Sequence, residues 1–192
     1  MPLTLTSGPA VEPVTLAEAK AHLRVDGSAE DTLIASLIVT ARLNVEAAAG
    51  LALITQTWSW YFDAWPPGHA RMLPLRPIQS IAAVRLYDEA GVATTLPPTG
   101  YMLDGAAPHP RIVRHGAIPW PKPGRIANGI EIAFTAGYGP TAADAPATLR
   151  QAVLLLVAHW YEHRTPAEVG AHIVALPDMV AELLAPYRAM RL

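Results

Sequence analysis

Apolar residues recur every three to four positions in the first third of the chain, and this period predicts α-helices. The first predicted helix begins at Thr15 and carries a capping box, in which Thr15 and Glu18 satisfy each other's unpaired backbone amides. The second is opened by Ser28 with Asp31 and ends near Gly50, a residue suited to a helix C-cap. Its apolar stripe comprises Leu33, Ile34, Leu37, Ile38, Ala41, Val45 and Ala48.

The period then changes from 3.6 to 2, which is the alternation of a strand with one buried face. Trp58, Trp60 and Phe62 alternate with smaller or more polar residues in TWSWYFDAW. A hairpin turn is predicted at residues 88–91. Further strands are predicted at residues 78–87, 92–96, 101–104, 111–114 and 130–135.

A third helix is predicted to begin near Asp144 or Pro146 and to continue through LRQAVLLLVAHWYEHR, residues 149–164. Residues 152–158 are apolar on every side of this helix, so we expect them to be buried all round. Such a helix lies at the centre of a core, at a subunit interface, or at both. A shorter helix is predicted at about residues 178–185, before Pro186 and the C-terminal tail.

Proline and glycine separate these two kinds of segment. Of the 19 prolines, 13 fall between Pro66 and Pro146, where turns are frequent and helices are not. We therefore expect an α+β fold, a helical bundle of three to four helices with an inserted antiparallel β subdomain. Residues 1–55 would form the N-terminal arm and first helices, residues 56–142 the β-rich insertion, and residues 143–192 the last helices and a tail.

Composition narrows the function classes. The 192 residues are 52% hydrophobic and 16% charged with a net charge of −2, which argues against disorder and against a dedicated nucleic-acid binder. An accessory DNA-binding role for the β segment stays open, because that segment carries seven bases against five acids. There is no cysteine for a disulfide or a thiol site. The longest wholly apolar run of the third helix has only seven residues, so we expect no membrane span.

Residues 159–163 read HWYEH, which has the H-x-x-E-H spacing of the inverted zinc-protease signature. Two histidines four apart on a helix can hold zinc, with the glutamate as general base. A catalytic site needs a third ligand, and a helix-breaking proline precedes the first of the later candidates, which are Glu168, His172, Asp178 and Glu182. The favoured interpretation is that His159, Glu162 and His163 end a structural helix. A small zinc hydrolase is the alternative.

Two other motifs have structural explanations. IEIAFTAGYGP, residues 130–140, resembles a strand that feeds a phosphate-binding glycine loop, but no helix follows directly and no Gly-Lys-Ser/Thr is present. We interpret this loop as a hinge between the β segment and the last helices. The aromatic residues at 58–65 could stack on sugars or bases, yet their alternation predicts one face of a core.

Five segments, in order, resemble the head–tail connector, or adaptor, proteins of long-tailed phages, prophages and phage-derived gene transfer agents. They are VTLAEAKAHLRVD (14–26), LPLRPI (73–78), FTAGYG (134–139), the helix at 149–164 and LLAPYR (183–188). The resemblance covers nearly the whole chain. It implies no catalytic residue and no cofactor.

The resemblance also implies an assembly. Such proteins form a homo-oligomeric ring, usually a dodecamer, between the portal protein and a stopper or tail-terminator protein of the particle. DNA passes through the lumen without sequence-specific binding. Family members dock on the portal with a C-terminal segment, which here comprises Tyr187, Arg188, Met190, Arg191 and Leu192. We expect the subunit interface on the apolar third helix, at Leu155, His159 and His163.

Overall fold

The computed structural model describes residues 1–107, 109–116, 119–163 and 177–188. Within these residues the helices are α1 (Leu16–Leu23), α2 (Asp31–Ala49), α3 (Ala147–Glu162) and α4 (Asp178–Leu184). The strands are β1 (Leu3–Ser7), β2 (Gln56–Phe62), β3 (Ala70–Met72), β4 (Ile78–Tyr87), β5 (Ala93–Thr95), β6 (Tyr101–Asp104), β7 (Arg111–Arg114) and β8 (Ile130–Ala136).

The chain divides into two units. The β unit comprises Met1–Pro9 and Thr55–Gly137, and the helical unit comprises Ala10–Ile54 and Tyr138–Leu192. The predicted α+β class, helices with an antiparallel β insertion, is confirmed.

The β unit contains two antiparallel sheets. The larger has the strand order β1-β2-β8-β4-β5, and the smaller has the order β3-β7-β6. Trp60 and Phe62 of β2 lie opposite Ile132 and Ile130 of β8, and all four side chains are buried. The predicted alternation of β2 therefore places the large aromatic residues on the buried face.

The sequence pattern did not predict two of the strands. The N-terminal segment was interpreted as an extended arm, yet β1 pairs with β2 and places Leu3 opposite Trp60. Strand β3 has only three residues and pairs with β7 at the edge of the smaller sheet. Short edge strands carry too few alternating residues to show a period, because pairing with a neighbour defines them.

A buried carboxylate links three strands on the other face of the larger sheet. Glu131 is 4% exposed and accepts hydrogen bonds from Ser59 Oγ at 2.8 Å, Arg85 Nη1 at 3.1 Å and Tyr87 Oη at 2.6 Å. Burial raises the pKa of Glu131, but the hydrogen bonds from Tyr87 and Ser59 and the charge of Arg85 outweigh it, so the net pKa is lowered. The same hydrogen bond to Glu131, together with burial, raises the pKa of Tyr87 to about 12.

The helical unit packs α2, α3 and α4 around one core, and α1 contacts both α2 and α3. Ile38 and Val45 of α2 are buried with Leu149 and Leu156 of α3 and with Leu184 of α4. The cluster buries most of the apolar stripe of each helix away from water, and this burial is the main favourable contribution to folding.

The ends of the first two helices follow local rules with one exception. The predicted capping box is present, since Thr15 Oγ1 accepts from the Glu18 amide and Glu18 accepts from the Thr15 amide. Gly50 adopts the left-handed conformation at the C-cap of α2, with φ of 66°. The N-cap of α2 is Glu30, where Ser28 had been expected, and Asp31 is held by Lys20 Nζ at 2.6 Å.

A buried ion network ties the start of the helical unit to α2. Arg42 is 6% exposed, and its Nε donates to Glu12 at 2.8 Å while its Nη1 donates to Glu46 at 2.9 Å. The other carboxylate oxygen of Glu46 accepts from the Leu53 amide at 2.8 Å. Burial lowers the pKa of Arg42, but the two carboxylates outweigh it and raise the pKa overall.

By length and composition alone, α2 could cross a membrane, and this qualifies the expectation that the chain contains no such helix. Ile34, Ile38 and Val45 are buried in the helical core, and the core helix of a folded domain passes the same test. The burial of these residues accounts for part of the apolar character of α2.

Helix α3 is buried on one side rather than all round. Leu149, Ala152, Val153, Leu156 and Val157 are buried, whereas Leu154, Leu155 and Ala158 are only partly covered. The reason is that α2, α1 and α4 contact α3 over a limited arc, so the apolar residues of the remaining arc face outward.

Candidate assembly surfaces

The HWYEH pentad forms the C-terminal end of α3. His163 is the C-cap residue, and its amide donates to the carbonyl of His159 at 3.1 Å. Nδ1 of His163 contacts the same carbonyl at 2.8 Å, so this nitrogen carries the proton. The two imidazole rings lie 4.7 Å apart between centroids. His163 therefore closes the helix and binds the carbonyl of His159 with both its amide and its side chain.

The structure does not assemble a zinc site from the described residues. Within residues 1–107, 109–116, 119–163 and 177–188, no group of three or more His, Cys, Asp or Glu side chains could hold a metal ion. Two of the candidates for the third ligand, Asp178 and Glu182, lie on α4 and do not complete such a group. Glu168 and His172 fall outside the described residues.

The residues between the two histidines fix the end of α3 to the rest of the helical unit. Trp160 is half-buried against the core. The hydroxyl of Tyr161 donates to the carboxylate of Glu30, the N-cap residue of α2. The pentad thus joins two helices.

A local contact explains the glycine at position 139 of the glycine loop. A side-chain Cβ at Gly139 would approach Cγ of Asp144 to 2.4 Å, so only glycine fits. Asp144 accepts from the amide of Thr141 at 2.8 Å and from its hydroxyl at 2.7 Å, which lowers the pKa of Asp144. The amide of Thr141 is therefore occupied by this carboxylate and does not face a phosphate.

The aromatic residues near Trp60 divide between core and surface. Trp60 and Phe62 are buried with ring centroids 4.9 Å apart, and the guanidinium of Arg71 lies 4.8 Å from the Trp60 ring. Trp65 instead stacks on Trp120 at 3.9 Å with an interplanar angle of 9°. The sequence pattern did not predict this stack, because the two tryptophans are far apart in the chain.

The predicted portal-docking segment begins directly after α4. A 3-10 turn, Ala185–Tyr187, follows the helix, and Tyr187 packs partly buried against the helical core. Arg188 is exposed. Met190, Arg191 and Leu192 lie outside the described residues. Among the described residues of this segment, Tyr187 therefore packs on the core and the side chain of Arg188 is exposed.

The predicted subunit-interface residues lie on the outward arc of α3 and at its end. Leu155 is partly buried, like Leu154 and Ala158 beside it and like His159, whereas His163 is exposed at the end of the helix. The structure also shows exposed apolar residues on α2 that the sequence had not marked for any function. The sequence feature that could have indicated an uncharged surface on this helix is that residues 32–41 contain no charged residue.

A family model matches a segment in the first half of the chain, and related solved structures match its whole length. The profile of a family described as "Phage gp6-like head-tail connector protein" matches residues 13–89. A chain of "Neck of empty GTA particle computed with C6 symmetry" is 32% identical with a TM-score of 0.86, covering 100% of this chain and 97% of that one. A chain of "Virion of native gene transfer agent (GTA) particle", with the same identity and coverages, has a TM-score of 0.84.

A third structure, "Neck of native GTA particle computed with C12 symmetry", contains a chain with 32% identity and a TM-score of 0.80, with coverages of 100% and 97%. No curated protein sequence matches the chain.

Proposed function

Because this chain belongs to the family of phage head–tail connector proteins, we propose that it forms the ring that joins the head of a tailed phage or gene transfer agent to its tail. The observation that carries this proposal is the 32% identity to a gene-transfer-agent neck chain over 97% of that chain. A shared fold by itself would not carry a function, but sequence and fold match here along the full length. The protein is a structural adaptor and a component of a phage-like particle.

We infer that the ring contains twelve copies. The related neck chains belong to structures computed with C6 and with C12 symmetry, and a head-to-tail contact that closes on itself gives a ring. On α3, the subunit contact would include Leu155, His159 and His163. A structural role of this kind requires no metal and no catalytic residue.

The proposed ring has a portal protein on one side and a stopper or tail-terminator protein on the other. The tail that begins at Tyr187 and Arg188 would dock on the portal, together with Met190, Arg191 and Leu192. DNA would pass through the lumen without sequence-specific contacts. The net charge of −2 supports free passage, since a surface with many phosphate contacts would hold the DNA.

Electron microscopy of the protein mixed with the portal protein of the same genetic element tests the proposal. We expect twelve-fold rings seated on the portal, with a continuous central channel. Protein that stays monomeric and unbound at micromolar concentrations of both partners would refute the adaptor role. The portal protein alone serves as the control for ring-shaped particles in the images.

A further inference from the structure

Helix α2 turns an apolar and uncharged face outward. Leu33, Val39 and Leu43 on this face are 37%, 38% and 51% exposed. The charged side chains in the second half of the helix, Arg42 and Glu46, are buried and paired with each other, and Arg42 also pairs with Glu12. We call the outward side the α2 outer face, and its other exposed residues are Thr32, Ala35, Ser36, Thr40, Asn44 and Ala47.

The polar side chains of the α2 outer face bond to their own helix. Ser36 Oγ donates to the carbonyl of Leu33 at 2.7 Å, and Thr40 Oγ1 donates to that of Ser36 at 2.9 Å. Asn44 Nδ2 donates to the carbonyl of Thr40 at 2.9 Å. Because both hydroxyl donors are already occupied, a protein surface can exclude water here without leaving them unpaired.

An apolar groove in the helical unit continues the α2 outer face. It lies beside Val39 and Ala35 and is also lined by Val11 and Leu16, with Glu12 as a charged lining residue. Val11 is 44% exposed at its rim. The groove has a volume of about 430 Å³, so it extends the apolar surface beyond the helix itself.

A second uncharged surface lies on the other side of the same unit. The α3 outer face comprises Gln151, which is exposed, and Leu154, Leu155 and Ala158, which are partly buried. None of these four residues is charged, and the exposed Glu162 follows one turn after Ala158 at the end of the helix. Helices α2 and α3 pack against each other through their buried sides. Their outer faces therefore point in opposite directions.

We propose that the α2 outer face of one copy packs against the α3 outer face of the next copy in the ring. This inference rests on the ring assembly proposed above. A head-to-tail ring needs two different surfaces of the same chain, placed on opposite sides, and these two faces meet that requirement. The residues that define the two faces are apolar or neutral, so the contact between them buries no charge of these residues.

Cysteine crosslinking tests the pairing directly, because the chain has no cysteine of its own. The double variant Leu43→Cys/Leu155→Cys is assembled on its portal and oxidised. We expect a ladder of covalent multimers on a non-reducing gel, since each copy links to two neighbours. Each single variant can give at most a dimer. Assembled rings of the double variant that yield no multimers beyond the dimer would overturn the pairing.

A charge in the α2 outer face provides an independent test. Leu43→Glu should abolish ring formation and leave thermal unfolding unchanged, because Leu43 is half-exposed in the single chain. Leu43→Met and Met179→Glu, the latter at an exposed position on α4, should both assemble normally. If wild-type rings form and Leu43→Glu forms them equally well, the interface assignment fails while the adaptor function stands. Absence of wild-type rings would refute the adaptor function itself.

Discussion

The guanidinium of Arg42 donates from Nη1 to Oε2 of Glu46 at 2.9 Å, one turn further along α2, and both side chains are buried. The same guanidinium binds Glu12 through Nε, and Glu46 also binds the Leu53 amide. One cation thus connects the segment before α1, the middle of α2 and the segment after α2. Removing it leaves two carboxylates without their counter-charge.

We therefore expect Arg42→Met to lower the free energy of unfolding by about 3–5 kcal/mol, the usual effect of removing one partner of a buried ion pair. Urea unfolding followed by circular dichroism measures the change. The matched control is Arg111→Met, since Arg111 is exposed and pairs with Asp104 at 2.8 Å. Arg111→Met should lower the free energy of unfolding by no more than about 1 kcal/mol. Equal effects in the two variants would show that the Arg42 network adds little to stability.

Glu131 gives the protein a pH-dependent contribution to stability. Its pKa in the folded chain is lowered from the ordinary value of 4.5, so the stabilisation is complete above that pH and is lost as the pH falls through the lowered pKa. Glu131→Gln should thus be less stable than wild type at pH 7, and the difference should shrink below about pH 4. Unfolding free energies of both proteins between pH 2 and pH 7 measure this, and a difference independent of pH would contradict it.

Tyr87 makes a contribution to stability that is lost as the pH rises, whereas the contribution of Glu131 is lost as the pH falls. Its pKa is raised from 10 to about 12 by the hydrogen bond to Glu131, so the folded chain keeps the phenol neutral at a pH where the unfolded chain ionises it. The contribution of Tyr87 to stability is complete below pH 10 and is lost as the pH rises through about 12. Tyrosinate absorbance of wild type and Tyr87→Phe should differ only in the step near pH 12. If Tyr87→Phe instead loses part of the absorbance rise near pH 10, Tyr87 does not have the raised pKa assigned to it.

The histidines at the end of α3 should have no metal function. Protein purified without a histidine tag should contain less than one zinc ion per ten chains, and His159→Ala/His163→Ala should not change that content. Chelator should leave the melting temperature of the wild type unchanged. Elemental analysis together with calorimetry measures both quantities. Stoichiometric zinc that the double variant loses would restore the zinc-hydrolase hypothesis.

The tail provides two truncations that separate folding from docking. Removing residues 189–192 should leave the melting temperature unchanged and abolish binding to the portal. Removing residues 186–192 should also cost about 1 kcal/mol of stability, because it deletes the half-buried ring of Tyr187. Co-sedimentation with the portal and thermal unfolding measure the two effects. If the protein that lacks residues 189–192 binds the portal as well as the wild type does, the portal contact lies elsewhere on the chain.

The elements that the sequence predicted correctly are those that depend on residues close together in the chain. Strands β6 and β7 have the predicted bounds, 101–104 and 111–114, because apolar alternation and turn residues delimit them. The capping box at Thr15 and the glycine cap at Gly50 formed as expected, since each depends on residues within one helical turn. For the candidate site, the sequence correctly predicted that HWYEH lies at a helix end.

Contacts between distant residues decided the rest. Strand β8 enters between β2 and β4, and only that pairing brings Glu131 to Ser59, Arg85 and Tyr87. The period of α2 predicted an apolar stripe that included Leu33, yet packing left Leu33 37% exposed. A helical period by itself does not distinguish an apolar residue that faces its own core from one that faces another subunit, because both avoid water in the assembled particle. The sequence therefore determined the helices, most of the strands and their apolar sides, and the tertiary structure decided which apolar residues remain exposed.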